Sequence, residues 1–281
     1  MSKVSVVMNC YNSDAYLREA IDSVYGQTYQ DWEIVFWDNA STDKSAEIAK
    51  SYDGKVKYFR NDTTTPLGEA RNLAIEKAEG EYIAFLDCDD IWLPKKLEKQ
   101  VNIFQEDKKT AMVYTNTTQF NEKGDIKIIC KDMKLPEGYI FDDLSRSNFI
   151  TLSSVIVKKN ILMQLTEIFD ESFSMSEDWD LWLRISYANK IGYVPEYLTK
   201  WRINPNSLTH TRYISFYDEI QALIEKLKKT FPKMEHEFSY NLERMNLSAI
   251  YFKCIGLWLE KRKHEARSFV KPYIFKDKKI F

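Results

Sequence analysis

The chain has none of the glycine-rich signatures that cradle phosphates or expose a nucleophile: no GxGxxG, no GxxxxGK[ST] and no GxSxG. The common dinucleotide, P-loop and hydrolase readings therefore have no local support. Its four cysteines, Cys10, Cys88, Cys130 and Cys254, are scattered, form no CxxC pair and sit at no zinc-finger spacing, which favours reduced thiols in a cytosolic setting. The three histidines, His210, His236 and His264, are too far apart to suggest zinc by spacing. No secretory-leader pattern precedes the strand-like run from Val4 to Met8. The most apolar late segment, Ala249 to Leu259, is interrupted by Lys253 and too short to span a bilayer. These absences predict a cytoplasmic protein, soluble or peripheral to a membrane. A net charge of −2 gives no general attraction to nucleic acid.

What is present suits a folded enzyme. At 281 residues, with 44% hydrophobic and 29% charged residues, the chain can bury one large core and carry an appendage. Val4 to Met8, Glu33 to Trp37, Val56 to Phe59 and Tyr82 to Leu86 are short apolar runs of the kind that form buried parallel strands. Between them, Leu17, Ala20, Ile21 and Val24 recur at helical spacing, with Gly26 as a stop. A second helix can start in Ser41-Thr42-Asp43, and Ala70, Leu73, Ala74 and Ala78 mark a third, closed by Gly80. This alternation predicts an α/β fold with a mostly parallel sheet flanked by helices, in which ligands bind beyond the carboxyl ends of the strands. From about residue 110 the pattern loosens into strands at Met112 to Tyr114, Asp125 to Ile129 and Ser153 to Val157, then a helix over Asp178 to Ala188. From about Ile214 the chain reads as charged helix, which sets a soft boundary near residue 211.

Acidic residues stand where strands end. Asp38 follows the second run, and Asp87-Cys88-Asp89-Asp90 follows the fourth. Clustered carboxylates repel one another, and a divalent cation is the usual remedy; oxygen-only ligands suit Mg²⁺ or Mn²⁺. Caps of turns and helices are the plainer alternative, which fits Asp43 best and the Asp87–Asp89 pair least. A second cluster, Glu177-Asp178-Trp179-Asp180, opens the later helix. Helical spacing puts Asp178 on the stripe of Leu181, Trp182 and Ile185, so it faces inward; it is either a helix cap or a general base. Asp180 and Arg184 form an i,i+4 pair expected on the surface. The 17 tyrosines and 7 tryptophans are read as core before they are read as sugar platforms.

The motifs, in order, resemble those of the family 2 glycosyltransferases over residues 3 to about 209. They include Val6-Val7-Met8-Asn9-Cys10-Tyr11-Asn12, Asp38-Asn39-Ala40-Ser41-Thr42-Asp43, Ala70-Arg71-Asn72-Leu73-Ala74, Phe85-Leu86-Asp87-Cys88-Asp89-Asp90, Glu177-Asp178-Trp179 and Trp201-Arg202 before Ser207. The resemblance implies a GT-A fold at residues 1–210, followed by a helical extension at 211–281. Its nucleotide-sugar-binding half would be residues 1–109 and its acceptor-binding half residues 110–210. It implies that Asp38 hydrogen-bonds uracil, that the backbone at Cys10 and Tyr11 lines the base pocket, and that Arg71 approaches the base or phosphates. Asp87 would lie near the ribose, Asp89 would bind Mn²⁺ or Mg²⁺, and Asp178 would serve as catalytic base of an inverting transfer.

Three positions depart from the family's pattern: Asn9 replaces a proline, Asn39 replaces an acid, and Asn204 stands where a third, histidine, metal ligand is common. The expected reaction moves a hexose or N-acetylhexosamine from a UDP-sugar to a glycan or lipid-linked acceptor in surface polysaccharide assembly. A non-catalytic nucleotide-sugar-binding module is one rival. A metal-dependent phosphohydrolase is the other, disfavoured because Asp87-Cys88-Asp89 follows the fourth strand rather than the first. Basic and apolar residues interleaved through 253–281, such as Lys253, Trp258, Lys261, Lys263 and Phe269, suggest contact with an anionic membrane surface. A solvated helix packed on its own domain explains them nearly as well.

Overall fold

A computed structural model describes residues 3–128, 134–204 and 213–273. The strands are β1 (Val4–Cys10), β2 (Trp32–Asp38), β3 (Val56–Arg60), β4 (Tyr82–Phe85), β5 (Ile91–Trp92), β6 (Thr110–Asn121), β7 (Gly124–Ile128), β8 (Ile156–Lys158) and β9 (Lys190–Arg202). The helices are α1 (Asp14–Tyr25), α2 (Ser45–Lys50), α3 (Leu67–Lys77), α4 (Lys96–Glu106), α5 (Phe141–Arg146), α6 (Lys159–Leu162) and α7 (Glu177–Ala188). Four more close the chain: α8 (Tyr213–Thr230), α9 (Met234–Glu237), α10 (Ser239–Leu259) and α11 (Lys263–Val270).

All nine strands join one sheet in the order β3-β2-β1-β4-β8-β6-β9-β5, with β7 on the side of β6. β1 to β4 run parallel, with β1, β2 and β4 buried as their apolar runs predict and β3 a half-buried edge strand, and they bring Cys10, Asp38 and the residues after Phe85 to one end of the sheet. β8 runs antiparallel to β4, and β6 pairs parallel with β9, so the later half of the chain extends the same sheet. Gly80 does not cap α3, which already ends at Lys77. It lies where β4 enters the sheet, and a Cβ there would stand 2.6 Å from the Ser5 nitrogen.

The two faces of the sheet bury separate cores. α1 and α4 cover one through Leu17, Ile21, Leu97 and Phe104. α3 and α7 cover the other through Ala74, Ile75, Leu181 and Trp182, and Ile220, Leu223, Leu227 and Met245 of the C-terminal helices join that same core. The helices after residue 211 are thus part of the main packing unit. The expected inward stripe of α7 needs correction for this reason. Glu177, Trp179, Asp180, Leu181, Trp182, Leu183, Ile185 and Ser186 are all buried, because the helix is enclosed by sheet on one side and C-terminal helices on the other. Asp178 is only half-buried. Among the described residues no helix is long and apolar enough to cross a membrane. Cys130, Ser207, His210 and the tail beyond Tyr273 lie outside the described residues.

Candidate active site

The loops that follow β1 and β2 are stitched together. Asn12 and Ser13 donate their backbone N–H groups to the Ser41 and Ser45 hydroxyls at 3.1 and 3.0 Å, and Asp14 N–H donates to Asp43 at 3.0 Å. Asp43 also accepts from Ser45 N–H at 2.9 Å, which is the capping role expected of it. Ala40 takes a left-handed φ of 64°, which turns Ser41 N–H back onto the Asp38 carboxylate at 2.7 Å. The same carboxylate accepts from the Tyr58 hydroxyl at 2.5 Å and from the Arg60 guanidinium. Asp38 is 0% exposed. Its oxygens are engaged in holding the loop, and a direct bond to a base would have to compete with Tyr58 or Arg60.

Asn39 shows why an amide suits its position. Its Nδ2 donates to the Thr65 carbonyl at 2.9 Å while its Oδ1 accepts from Thr65 N–H at 3.1 Å, and a carboxylate could not do the first. Tyr11, by contrast, is 55% exposed on the rim. Cys10 and Cys88 are buried neighbours; their mutual hydrogen bond pushes the Cys10 thiol down to about 7 and the Cys88 thiol up.

Beyond β4 the three aspartates have different surroundings. Asp87 is partly exposed and accepts from Arg71 Nη2 at 3.2 Å. Among the described residues no side chain donates to the Asp89 carboxylate; burial, and then the neighbouring Asp87 charge, pushes it up to about 6. Asp90 is buried and turned to structure: its Oδ2 accepts from the Ser153 hydroxyl at 2.6 Å and its Oδ1 from Arg202 N–H at 2.9 Å. Arg202 also donates through Nε to the Asp89 carbonyl at 2.8 Å and pairs with Glu19, so the end of β9 clamps this turn. Asp87 and Asp89 are therefore the hard-oxygen pair a Mn²⁺ or Mg²⁺ ion would relieve, and the residues present fit such an ion. Asn204, two residues past Arg202, is half-buried.

The helix α7 completes the constellation. Glu177 pairs with Arg71, so one guanidinium joins the first residue of α7 to Asp87. Asp178 accepts from Trp179 N–H at 2.6 Å and lies 3.5 Å from Asn148 Nδ2. Its surroundings push its carboxyl up to about 8, chiefly by desolvation and next by the Glu177 charge, with Asp87 adding to the effect. A carboxyl so raised is a strong base when ionised.

A further acidic trio, Glu167, Asp170 and Asp180, has carboxylate oxygens within 4.8 Å of one another. It already holds its cation: Lys226 Nζ lies 2.5, 2.6 and 3.0 Å from the three carboxylates, and Arg184 adds bonds of 2.9 and 2.7 Å to Asp180. The Asp180–Arg184 pair expected on the surface is thus buried. α8, which the sequence could not place, covers it.

Arg71, Asp87 and Asp178 converge, and Asp89 lies one turn from Asp87. Cys10, Tyr11 and Asp38 sit along the same sheet edge. Sequence reasoning missed Glu177, Ser153 and Arg60. Glu177 was legible only as part of its motif, and Ser153 carried no signal at all.

Comparison with known proteins gives five matches of interest. The glycosyl transferase family 2 model matches residues 5–163. An uncharacterised glycosyltransferase of Methanocaldococcus jannaschii is 37% identical over 213 residues, 72% of this chain and 71% of that protein. The Escherichia coli UDP-Glc:α-D-GlcNAc-diphosphoundecaprenol β-1,3-glucosyltransferase WfgD is 29% identical over 216 residues, 75% of this chain and 81% of that one. Among solved structures, S. aureus TarS in complex with UDP superposes with a TM-score of 0.65 at 21% identity, covering 97% of this chain and 74% of that one. The Pyrobaculum calidifontis mannosyltransferase PcManGT with GDP-Man and Mn²⁺ gives 0.64 at 16%, covering 97% and 76%.

Proposed function

The chain belongs to glycosyl transferase family 2 and has the GT-A fold, and from that premise we propose that it moves a hexose or N-acetylhexosamine from a UDP-sugar to a lipid-linked saccharide. The observation that carries this reading is the convergence of Asp87 and Asp178 on Arg71 at the carboxyl edge of the sheet. Residues 1–109 form the donor side in this proposal, and residues 110–210 supply the acceptor side. The printed activity of the E. coli relative supports both the UDP-sugar and the lipid-linked acceptor.

In the reaction, the Asp178 carboxylate takes the proton of an acceptor hydroxyl. The freed oxygen pair attacks C1 of the sugar from the face opposite the diphosphate, the C1–O bond breaks, and UDP departs with inversion. Asp89 would hold a divalent cation that would neutralise charge on the diphosphate leaving group, with Asp87 near the ribose. Arg71 keeps Asp87 and α7 in register. The shaped loop of Asp38, Arg60 and Ser41 and the backbone at Cys10 and Tyr11 border the base. The helices after residue 211 carry exposed Trp258 and Leu259 beside Lys261 and Lys263, which supports a peripheral position on an anionic membrane where such acceptors reside.

The test is transfer itself. A panel of nucleotide sugars is offered with polyprenyl-diphosphate saccharides, with Mn²⁺ or with chelator. Metal-dependent product from a UDP-sugar, with an inverted anomeric linkage, is expected. UDP release without any transfer, or binding without turnover, would refute the reading.

A further inference from the structure

Residues 174–176, which lead into α7, are held by a side chain from the far end of the chain. Glu219 lies on α8. Its Oε1 accepts from Ser174 N–H at 3.1 Å and from the Ser174 hydroxyl at 2.7 Å. Its Oε2 accepts from Met175 N–H at 3.0 Å, Ser176 N–H at 3.2 Å and the Ser176 hydroxyl at 2.9 Å. A single carboxylate thus satisfies three consecutive backbone donors and two hydroxyls.

Ser176 is the N-cap of α7, yet its side chain caps nothing within its own helix; its hydroxyl is spent on Glu219. Helix N-termini carry unsatisfied N–H groups and a positive dipole end, and an anion there stabilises them. The usual device is a local Ser or Asp. Here Glu219 of α8 instead holds the N-cap N–H and the two residues before it, so the anion sits at the lead-in to the helix. The next two residues are Glu177, which pairs with Arg71 and through it reaches Asp87, and Asp178. Any shift of the 174–176 turn therefore moves both acids relative to the donor side.

We infer that Glu219 is a positioning residue for the glycosyl transfer, fixing where α7 begins and so where Glu177 and Asp178 stand. This rests on the proposed function. It makes the C-terminal helices part of the catalytic architecture: the acceptor-side base is aimed by a residue outside the segment that the family model matches, 5–163. The ion contact that Lys226 makes with Asp180 docks α8 a little further along the same helix.

The experiment compares wild type, Glu219→Gln, Glu219→Ala and Gln221→Ala. Gln221 is on the same helix but bonds Asn246 at 2.9 Å, away from α7. Turnover, donor KM, UDP affinity by calorimetry and amide exchange at 174–178 are measured well below each melting temperature. Small misplacement of a reacting group costs up to about 10²-fold in rate. The expected result is a fall of kcat by about 10-fold or more in both Glu219 variants. Donor KM and UDP affinity should stay within about twofold, since the donor contacts are untouched. Exchange at 174–178 should quicken, and Gln221→Ala should turn over normally. If Glu219→Ala does not fold, Glu219→Gln, which keeps shape and one acceptor oxygen, decides alone. Wild-type kcat in a Glu219 variant, or a parallel loss of kcat and UDP affinity, overturns the positioning role while leaving the transferase reading intact. A wild type that transfers no sugar overturns both, and is recognised because the failure precedes any substitution.

Discussion

Arg71 of α3 and Glu177 of α7 form an ion pair across 106 residues of sequence, and each side chain is only 6% exposed. Burial pushes the Glu177 carboxyl up and the Arg71 charge pulls it back; one of its oxygens has no other partner. Breaking a buried pair by removing one partner costs about 3–5 kcal/mol, since the other charge is left behind. Arg71→Met should lower stability on that scale. Without the guanidinium the folded-state value of Glu177 rises further, and a raised carboxyl loses its stabilising contribution as pH rises through that value. The deficit should therefore be larger at pH 8 than at pH 5, read from urea unfolding at both. An equal deficit at the two pH values would show that Glu177 is not the group left unpaired.

Neighbouring acids should behave in opposite ways. Asp89 has no side-chain donor among the described residues, whereas Asp90 holds the Ser153 hydroxyl and Arg202 N–H. Asp89→Ala should fold normally and lose Mn²⁺-dependent UDP binding. Asp90→Ala should retain that binding but lose stability, because each buried group left without a partner costs about 1–3 kcal/mol. Calorimetry with and without chelator, beside thermal melts, separates the two. Unchanged Mn²⁺ dependence in Asp89→Ala would remove Asp89 from the ligand set.

Asp178 ties activity to pH. A base must be ionised, so kcat/KM should rise with pH through an acid limb at or below about 8, the value to which desolvation and Glu177 push the carboxyl. A cation at Asp89 would draw the limb downward. Asp178→Asn should lose the limb and about 10²–10⁴-fold in kcat, with UDP affinity little changed. A carboxyl raised on folding contributes stability that is complete below its unfolded value near 3.9 and lost as pH rises through about 8. Asp178→Asn should therefore melt higher than wild type at pH 8 and not at pH 4. Near-normal turnover in the variant would end the assignment.

The parallel half of the sheet was legible because continuous apolar runs mark parallel strands and the acids stand directly after them: Asp38 ends β2, and Asp87 to Asp90 follow β4. β9 was not. Pro195, Glu196 and Lys200 disguise it, and Pro195 is accommodated where the β6 register slips, opposite Thr115 and Asn116. Nor could any local pattern reveal Ser153, whose hydroxyl serves Asp90 and whose carbonyl takes the Trp92 indole N–H at 2.7 Å. Asp180 was misread because helical spacing tells which residues share a stripe, but not that α7 would be covered on both sides.

That misreading changes what Asp180→Asn should do. As a surface pair with Arg184 it would be nearly silent, worth about 0.3–0.5 kcal/mol. Buried between Arg184 and Lys226, Asp180 carries the carboxylate that Arg184 pairs with, whereas Lys226 keeps Glu167 and Asp170. The expected loss is about 3 kcal/mol or more, seen as a lower urea midpoint, with residual activity in the folded fraction. A melt within a degree of wild type would mean that water reaches the trio.

The last prediction concerns where the protein works. Trp258 is 49% and Leu259 62% exposed at the end of α10. Lys261, Lys263 and Arg267 are exposed around them, whereas Arg262 is neutralised by Glu260 and Glu265 and adds no net attraction. Lys253, basic in sequence, lies over the Tyr217 and Phe269 rings and is withdrawn from the surface. Lys263 lies over the Trp258 ring, which leaves Lys261 and Arg267; at about 1 kcal/mol each near an anionic surface they amount to roughly 30-fold in partitioning. Salt should screen most of that, because the charges are exposed. Deleting residues 253–281 would not test the idea cleanly, since Leu257 and Ala266 are buried and their loss damages packing. The cleaner variant is Trp258→Ser with Leu259→Ser, which replaces exposed residues only. It should melt like wild type and sediment less with phosphatidylglycerol vesicles at low salt, while neither protein binds phosphatidylcholine alone. Equal sedimentation of both proteins would place the membrane contact elsewhere on the chain, and no sedimentation of wild type would remove it.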